Sequence, residues 1–265
     1  MTTPKKSLGQ NFLTSPGAVF QIIQAAELTP DDVVLEIGPG KGVLTKELLT
    51  WAAKVVAVEK DEALSELLAK EFGTKKNFTL VSQDILEFKP EEHGLQDHGF
   101  KLIANIPYYI TGEILQKFLE APIQPSRMVL MVQKEVAERI VARDQKESIL
   151  SMSVKAYGTP RIIATVKAGS FFPKPKVDSA ILLIDHISRS FFEKAHPFLH
   201  DGGPASIIKE RKFFETVKKG FAHKRKFVKS NLEAPETALS LCGIPPKSRP
   251  EELSKENWLC LASRR

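Results

Sequence analysis

The sequence predicts an α/β fold, a parallel sheet with helices on both faces, followed by a small all-α C-terminal domain. Three observations carry this. Short apolar runs alternate with helical periodicities from residue 33 to about 140, the pattern of repeated strand–helix units. The first run ends in Gly38-Pro39-Gly40, a sharp turn where the chain passes from strand to helix. After Ile184 the strand signals stop, and short helical segments rich in Lys and Arg take over.

Val33–Ile37 reads as a buried strand, and Val43–Trp51 as a helix with Val43, Leu44, Leu48 and Trp51 on one face. Residues 54–58 form a second buried strand. Asp61 caps a helix that runs to Phe72 and stops at Gly73. Further strands fall at 78–81, 101–104, 128–132, 161–166 and 180–184. The last two are joined by Phe172-Pro-Lys-Pro-Lys-Val177 with no clear helix, which suits antiparallel pairing. Helical segments are expected near 190–200, 205–220, 225–232, 235–242 and 251–262. The boundary divides the chain into domains 1–187 and 188–265.

The 265 residues include 42% hydrophobic ones, enough for a core. The sequence has no apolar run of about 18 residues or more, so no membrane partner is expected. Met1–Gly9 lacks the apolar stretch of a signal peptide. Two cysteines, Cys242 and Cys260, do not make a disulfide framework, which points to a reducing, cytoplasmic setting. His196 and His200 stand four apart, but Pro197 between them and the lack of further ligands argue against a metal. Of the net charge of +6, residues 186–265 carry +7 and the remainder −1. Within that tail, Lys209–Lys229 holds nine basic residues against Glu210 and Glu215, which suits a polyanionic partner.

Glu36-Ile-Gly38-Pro-Gly40-Lys-Gly42 lies where open α/β sheets bind ligands. Its G-x-G-x-G spacing differs from the G-x-G-x-x-G dinucleotide fingerprint. Glu59 ends the second strand, 21 residues after Gly38, where a carboxylate can accept from both hydroxyls of a ribose. Asp84, after the third strand, can accept from the amino group of adenine. These residues describe an adenosine-containing cofactor and leave NAD and S-adenosylmethionine both open. Asn105-Ile-Pro107-Tyr108 follows the next strand. Its amide can accept hydrogen bonds from an exocyclic amine, Pro107 removes a competing donor, and Tyr108 offers a face to a base.

These segments together resemble the ribosomal RNA adenine dimethylase family, in particular its small-subunit enzymes. The resemblance begins at Lys5-Lys-Ser-Leu-Gly-Gln10-Asn11-Phe12-Leu13. It continues through residues 34–45, Val58-Glu59-Lys-Asp61, Gln83-Asp84, Asn105–Tyr108 and Phe171-Phe-Pro-Lys-Pro-Lys-Val-Asp-Ser179. It implies a Rossmann-like class I methyltransferase sheet and S-adenosylmethionine as cofactor. It implies that Asn11 and Leu13 contact that cofactor, that Gly38 and Gly40 pass under its methionine part, and that Glu59 and Asp84 hold ribose and adenine. Asn105 would bridge cofactor and target base, with Pro107 fixing the loop and Phe171 stacking on the target adenine opposite Tyr108. Phe221–Phe227 resembles the family's basic helix start, with Lys224-Arg225 in place of its double arginine. Lys224, Arg225 and Lys226 would grip the phosphates of small-subunit ribosomal RNA in an assembling 30S particle, the protein acting as a monomer. The rival expectations are a large-subunit adenine methylase, a ribosome-assembly factor acting by occupancy, and, less well matched, a dehydrogenase.

Overall fold

A computed structural model of the chain describes residues 4, 9–193, 205–223 and 225–264. The strands are β1 (Phe12–Leu13), β2 (Val33–Ile37), β3 (Lys54–Glu59), β4 (Phe78–Ser82), β5 (Lys101–Asn105), β6 (Arg127–Gln133), β7 (Thr159–Val166), β8 (Phe171–Phe172) and β9 (Ser179–Asp185). Helices α1 (Pro16–Ala26), α2 (Val43–Trp51), α3 (Glu62–Phe72) and α4 (Thr111–Glu120) belong with this sheet. They are followed by α5 (Lys134–Val141), α6 (Ile149–Lys155), α7 (Ser190–Glu193), α8 (Ala205–Gly220), α9 (Val228–Leu232), α10 (Glu236–Leu241) and α11 (Lys255–Ala262).

Seven strands form one sheet in the order β4-β3-β2-β5-β6-β9-β7. The first five are parallel, while β9 runs antiparallel between β6 and β7. The antiparallel joining of 161–166 and 180–184 is thus as expected, and the pair starts earlier, at Thr159. Central strands are buried on both faces: Val34 and Leu35 are fully inaccessible, as are Leu102 and Ile103. This explains why they read as continuous apolar runs instead of alternating ones. On one face α1 and α2 cover Val34, Val55, Ile103 and Met131 with Val19, Ile22, Leu44 and Leu48.

Two N-terminal elements are absent from the sequence reading. Helix α1 opens with Ser15, whose hydroxyl accepts from the Ala18 N–H, and with Pro16 in the first turn. That start signal was there to be read. The two-residue strand β1 pairs only with β8, 158 positions later, so no local pattern marks it.

The described chain forms two compact units, Met1–Ala137 with Thr159–Ile187, and Glu138–Gly158 with Ser188–Arg265. One cut between the units falls after Ile187. Residues 138–158, expected in the first domain, belong instead to the second unit. The reason is packing: the Tyr157 ring meets Phe192 edge-on at 5.5 Å, its hydroxyl donates to Glu210, and α6 packs on α8. Among the described residues no helix is long and apolar enough to cross a membrane, and no group of His, Cys, Asp and Glu is placed to hold a metal ion. His196 and His200 lie outside the described residues.

Within the second unit, Cys242 and Cys260 are bonded to each other, with Cα atoms 5.7 Å apart. This corrects the expectation of two reduced thiols. The bond ties the end of α10 to α11, where Asn257 Nδ2 also donates to the Cys242 carbonyl. Trp258 of α11 is fully buried against the C-terminal end of α8, where Gly220 leaves room for it. A Cβ at Gly220 would lie 2.3 Å from Trp258 Cη2. Gly220→Ala is therefore expected to destabilise this unit by roughly 1–3 kcal/mol through overpacking. A lower urea midpoint, despite alanine's better helix propensity, is the outcome to look for.

Candidate active site

The parallel strands deliver their carboxyl ends to one rim of the sheet, and there a cavity of about 300 Å³ opens. Its walls come from the ends of β2, β3 and β5, from the loops after β4 and β5, and from residues 9–12. The glycine turn forms part of the floor. Gly38 and Gly40 have φ of 62° and 60°, a region where a Cβ is strained. At Gly40 a Cβ would also meet the Phe12 ring at 3.0 Å.

Glu59, at the end of β3, is almost fully buried and lines this cavity. Its two carboxylate oxygens accept from the Gly40 N–H at 3.1 Å and the Asp61 N–H at 2.9 Å. Burial pushes its pKa up, and the backbone N–H groups of Asp61, Gly40 and Lys60 act against that. A carboxylate has about four acceptor positions, so capacity remains for a hydroxyl. Asp61 in turn caps α3 by accepting from the Ala63 N–H and also accepts from Gln10 Nε2 at 3.0 Å. The N-terminal segment is thereby fastened to the same corner.

Asp84 also lines the cavity, but it is already engaged. Lys60 Nζ donates to it at 2.6 Å and the Leu86 N–H at 2.9 Å. The Lys60 hydrogen bond holds its pKa below the usual carboxylate range. Asn105 ends β5, and its Nδ2 donates to the Asn11 carbonyl at 3.0 Å. That bond orients the amide and leaves Oδ1 as its acceptor. Pro107 and Tyr108 follow in the wall. The Tyr108 hydroxyl shares a hydrogen bond of 2.6 Å with Ser179 Oγ, and burial raises its pKa, so the phenol stays neutral.

The structure thus brings Asn11, Gly38, Gly40, Glu59, Asp84, Asn105, Pro107 and Tyr108 to one cavity. Two expected residues are not there. Leu13 is buried and borders only a smaller adjoining pocket with Glu36, Lys41 and Val43. Phe171 is 4% exposed and belongs to the hydrophobic core with Val19, Ile22 and Leu183. The cause is strand alternation. In the β1–β8 pair Phe12 faces Phe172 and Leu13 faces Phe171, so the second couple shares the core side. The ring of Phe171, expected to stack on a base, thus lies in the core and not among the residues that line the cavity.

Arg225 and Lys226 are exposed in the second unit, and Lys224 lies outside the described residues. The sequence reading missed Lys60, Gln10, Tyr109 and Glu113, all in the cavity wall. Lys60 directly follows Glu59, but its hold on Asp84 is a tertiary contact with no local signature.

The chain matches the ribosomal RNA adenine dimethylase family over residues 1–264. It is 42% identical to the ribosomal RNA small subunit methyltransferase A of Dehalococcoides mccartyi (strain CBDB1), covering 97% of this chain and 87% of that protein. It is similar to the crystal structure of the 23S rRNA methyltransferase ErmE, at 28% identity and a TM-score of 0.74 over 96% of this chain and 99% of that one. The dimethyladenosine transferase of Plasmodium falciparum shares the fold, at 24% identity and a TM-score of 0.76 over 94% and 95%.

Beneath the glycine turn Glu36 is 1% exposed, accepts from Thr45 Oγ1 at 2.7 Å, and is pushed up to about 8 by burial, with the Glu59 charge adding to the shift. A carboxyl whose folded pKa lies above its unfolded value of 4.5 gives stability that is full below 4.5 and is lost as pH rises toward 8. Glu36→Gln is expected to flatten that fall. Urea unfolding of both proteins at several pH values should show the variant gaining on the wild type from acid to alkaline pH.

Proposed function

The chain belongs to the ribosomal RNA adenine dimethylase family, and on that premise we propose that it dimethylates N6 of two adjacent adenosines in a hairpin loop near the 3′ end of small-subunit ribosomal RNA. The substrate is the RNA within an assembling 30S particle in the cytoplasm. The observation that carries this reading is the meeting of Asn105, Pro107 and Tyr108 with Glu59 in one cavity. The higher identity to a small-subunit enzyme, 42% against 28% for the 23S methyltransferase, favours the small subunit over the large.

The residues present fit S-adenosylmethionine. Glu59 is a buried carboxylate pinned so that its free lone pairs remain for a ribose diol, and Asp84 offers an acceptor to the adenine amine. The glycine turn keeps side chains away from a bound chain of atoms, and the cavity volume lies in the small-molecule range. When bound, this cofactor supplies an electrophilic methyl group together with its own leaving group.

What the chain supplies is position. The lone pair of an aromatic amine is delocalised into its ring, which makes N6 a poor nucleophile. Asn105 Oδ1, fixed by the bond to Asn11, accepts from the amine and favours its pyramidal, reactive form. Pro107 has no N–H to compete for that amine. Tyr108, anchored on Ser179, offers its ring to the base that has left its stack. N6 loses its proton after methylation has made it cationic, and water suffices as acceptor. Lys224, Arg225 and Lys226 contribute phosphate contacts that position the RNA without reading its sequence.

Labelled S-adenosylmethionine incubated with unmethylated small subunits, and in parallel with unmethylated large-subunit RNA, tests the reading. N6,N6-dimethyladenosine in the small-subunit reaction alone is expected, and label in the large-subunit RNA alone overturns it. Asn105→Ala is expected to lower kcat about 100-fold or more while leaving RNA affinity within about two-fold.

A further inference from the structure

The segment after β8 carries a feature that the cavity does not use. From residue 172 to 176 exposure alternates: Phe172, Lys174 and Lys176 are exposed while Pro173 and Pro175 are partly covered. Phe172 is 59% exposed, an unusual state for a phenylalanine next to a buried core. The β1–β8 pairing sets it directly opposite Phe12, on the same face of that pair. Phe12 lines the cavity, and Phe172, its partner across the pair, is not among the lining residues. The segment is fastened at its far end. Asp178 accepts from the Ala168 N–H and from Lys167 Nζ, each at 3.0 Å, and Ser179 holds Tyr108.

We propose that Phe172, Lys174 and Lys176 form a second RNA-gripping element, in which Phe172 stacks on the nucleotide next to the target adenosine and the two lysines bind the phosphates that follow. The proposal rests on the reading of the chain as an RNA methylase. An aromatic face flanked by cations is the combination that binds unpaired nucleotides, since every base has a face to stack and every nucleotide a phosphate. Two further observations favour RNA. The only charges exposed along residues 172–176 are positive. The same segment also supports Tyr108, so a nucleotide held by it is held in register with the base in the cavity.

The test measures binding separately from methyl transfer. The probe is an RNA hairpin with two adjacent adenosines in its loop and 2-aminopurine at the flanking loop position. Phe172→Leu keeps an apolar side chain but removes the aromatic face, and Phe172→Trp keeps the face. The leucine variant is expected to bind the hairpin roughly ten-fold more weakly or worse, without quenching of the 2-aminopurine. The tryptophan variant should bind within about two-fold of wild type and quench it. Replacing Lys174 and Lys176 together by alanine is expected to lower the slope of log Kd against log salt by about 1.4. S-adenosylmethionine affinity and Tm should be unchanged in all three. A leucine variant that binds and quenches like wild type, or a lysine variant with an unchanged salt slope, overturns the proposal. If the wild type binds the hairpin but methylates no small-subunit RNA, the functional reading fails, and the binding comparison still decides the role of Phe172.

Discussion

The site depends on one buried carboxylate. Glu59 is held at the end of β3 by two backbone donors, one from the glycine turn after β2 and one from the start of α3. It joins two loops that belong to successive strand–helix units. Isolated, such a buried charge would be costly, and the two N–H donors are what make it tolerable. The Gly40 donor sits in a turn where Gly38 and Gly40 adopt backbone angles closed to most residues. The carboxylate, the turn and the cavity are therefore one construction. The Asp61 cap and the Gln10 side chain extend it to the N-terminal segment, which brings Asn11 over the cavity to meet Asn105.

A second set of contacts fixes Tyr108 in the cavity wall. Tyr108 opens the short 3-10 turn Tyr108–Ile110 that leads into α4, and its hydroxyl is tied to Ser179 on the antiparallel strand β9. Ser179 itself is fully buried. The insertion of β9 between β6 and β7 thus has a consequence for chemistry: it carries the buried hydroxyl to a point within reach of the loop after β5. The same segment begins at β8, which pairs with β1 apart from the main sheet and where alternation sends Phe171 into the core and Phe172 outward.

The second unit is built on different principles. Apart from α8 its helices are short, and their packing relies on aromatic rings from distant positions: Tyr157 meets Phe192, Phe192 meets Phe213 and Phe213 meets Phe214 edge to face. A tryptophan packed on a glycine and the Cys242–Cys260 bond close the C-terminal end. A unit of this kind can carry many exposed Lys and Arg residues because its stability comes from inside.

The sequence by itself determined the strand–helix alternation, the glycine turn and the acidic residues at strand ends. These are local facts: period, backbone permissiveness and position at a strand's carboxyl end are written in neighbouring residues. It also determined the family, because several short motifs in fixed order leave few alternatives. Tertiary structure alone decided the rest. Whether Phe171 or Phe172 is exposed turns on the register of a two-residue strand with a partner far away in the chain. The assignment of residues 138–158 to the helical unit turns on rings that meet across more than thirty positions. The bond between Cys242 and Cys260, and the grip of Lys60 on Asp84, likewise need two distant atoms in one place. Local pattern specifies which residues prefer water and which backbone shapes are open to them. Which side chains touch is settled only when every element has found its register at once.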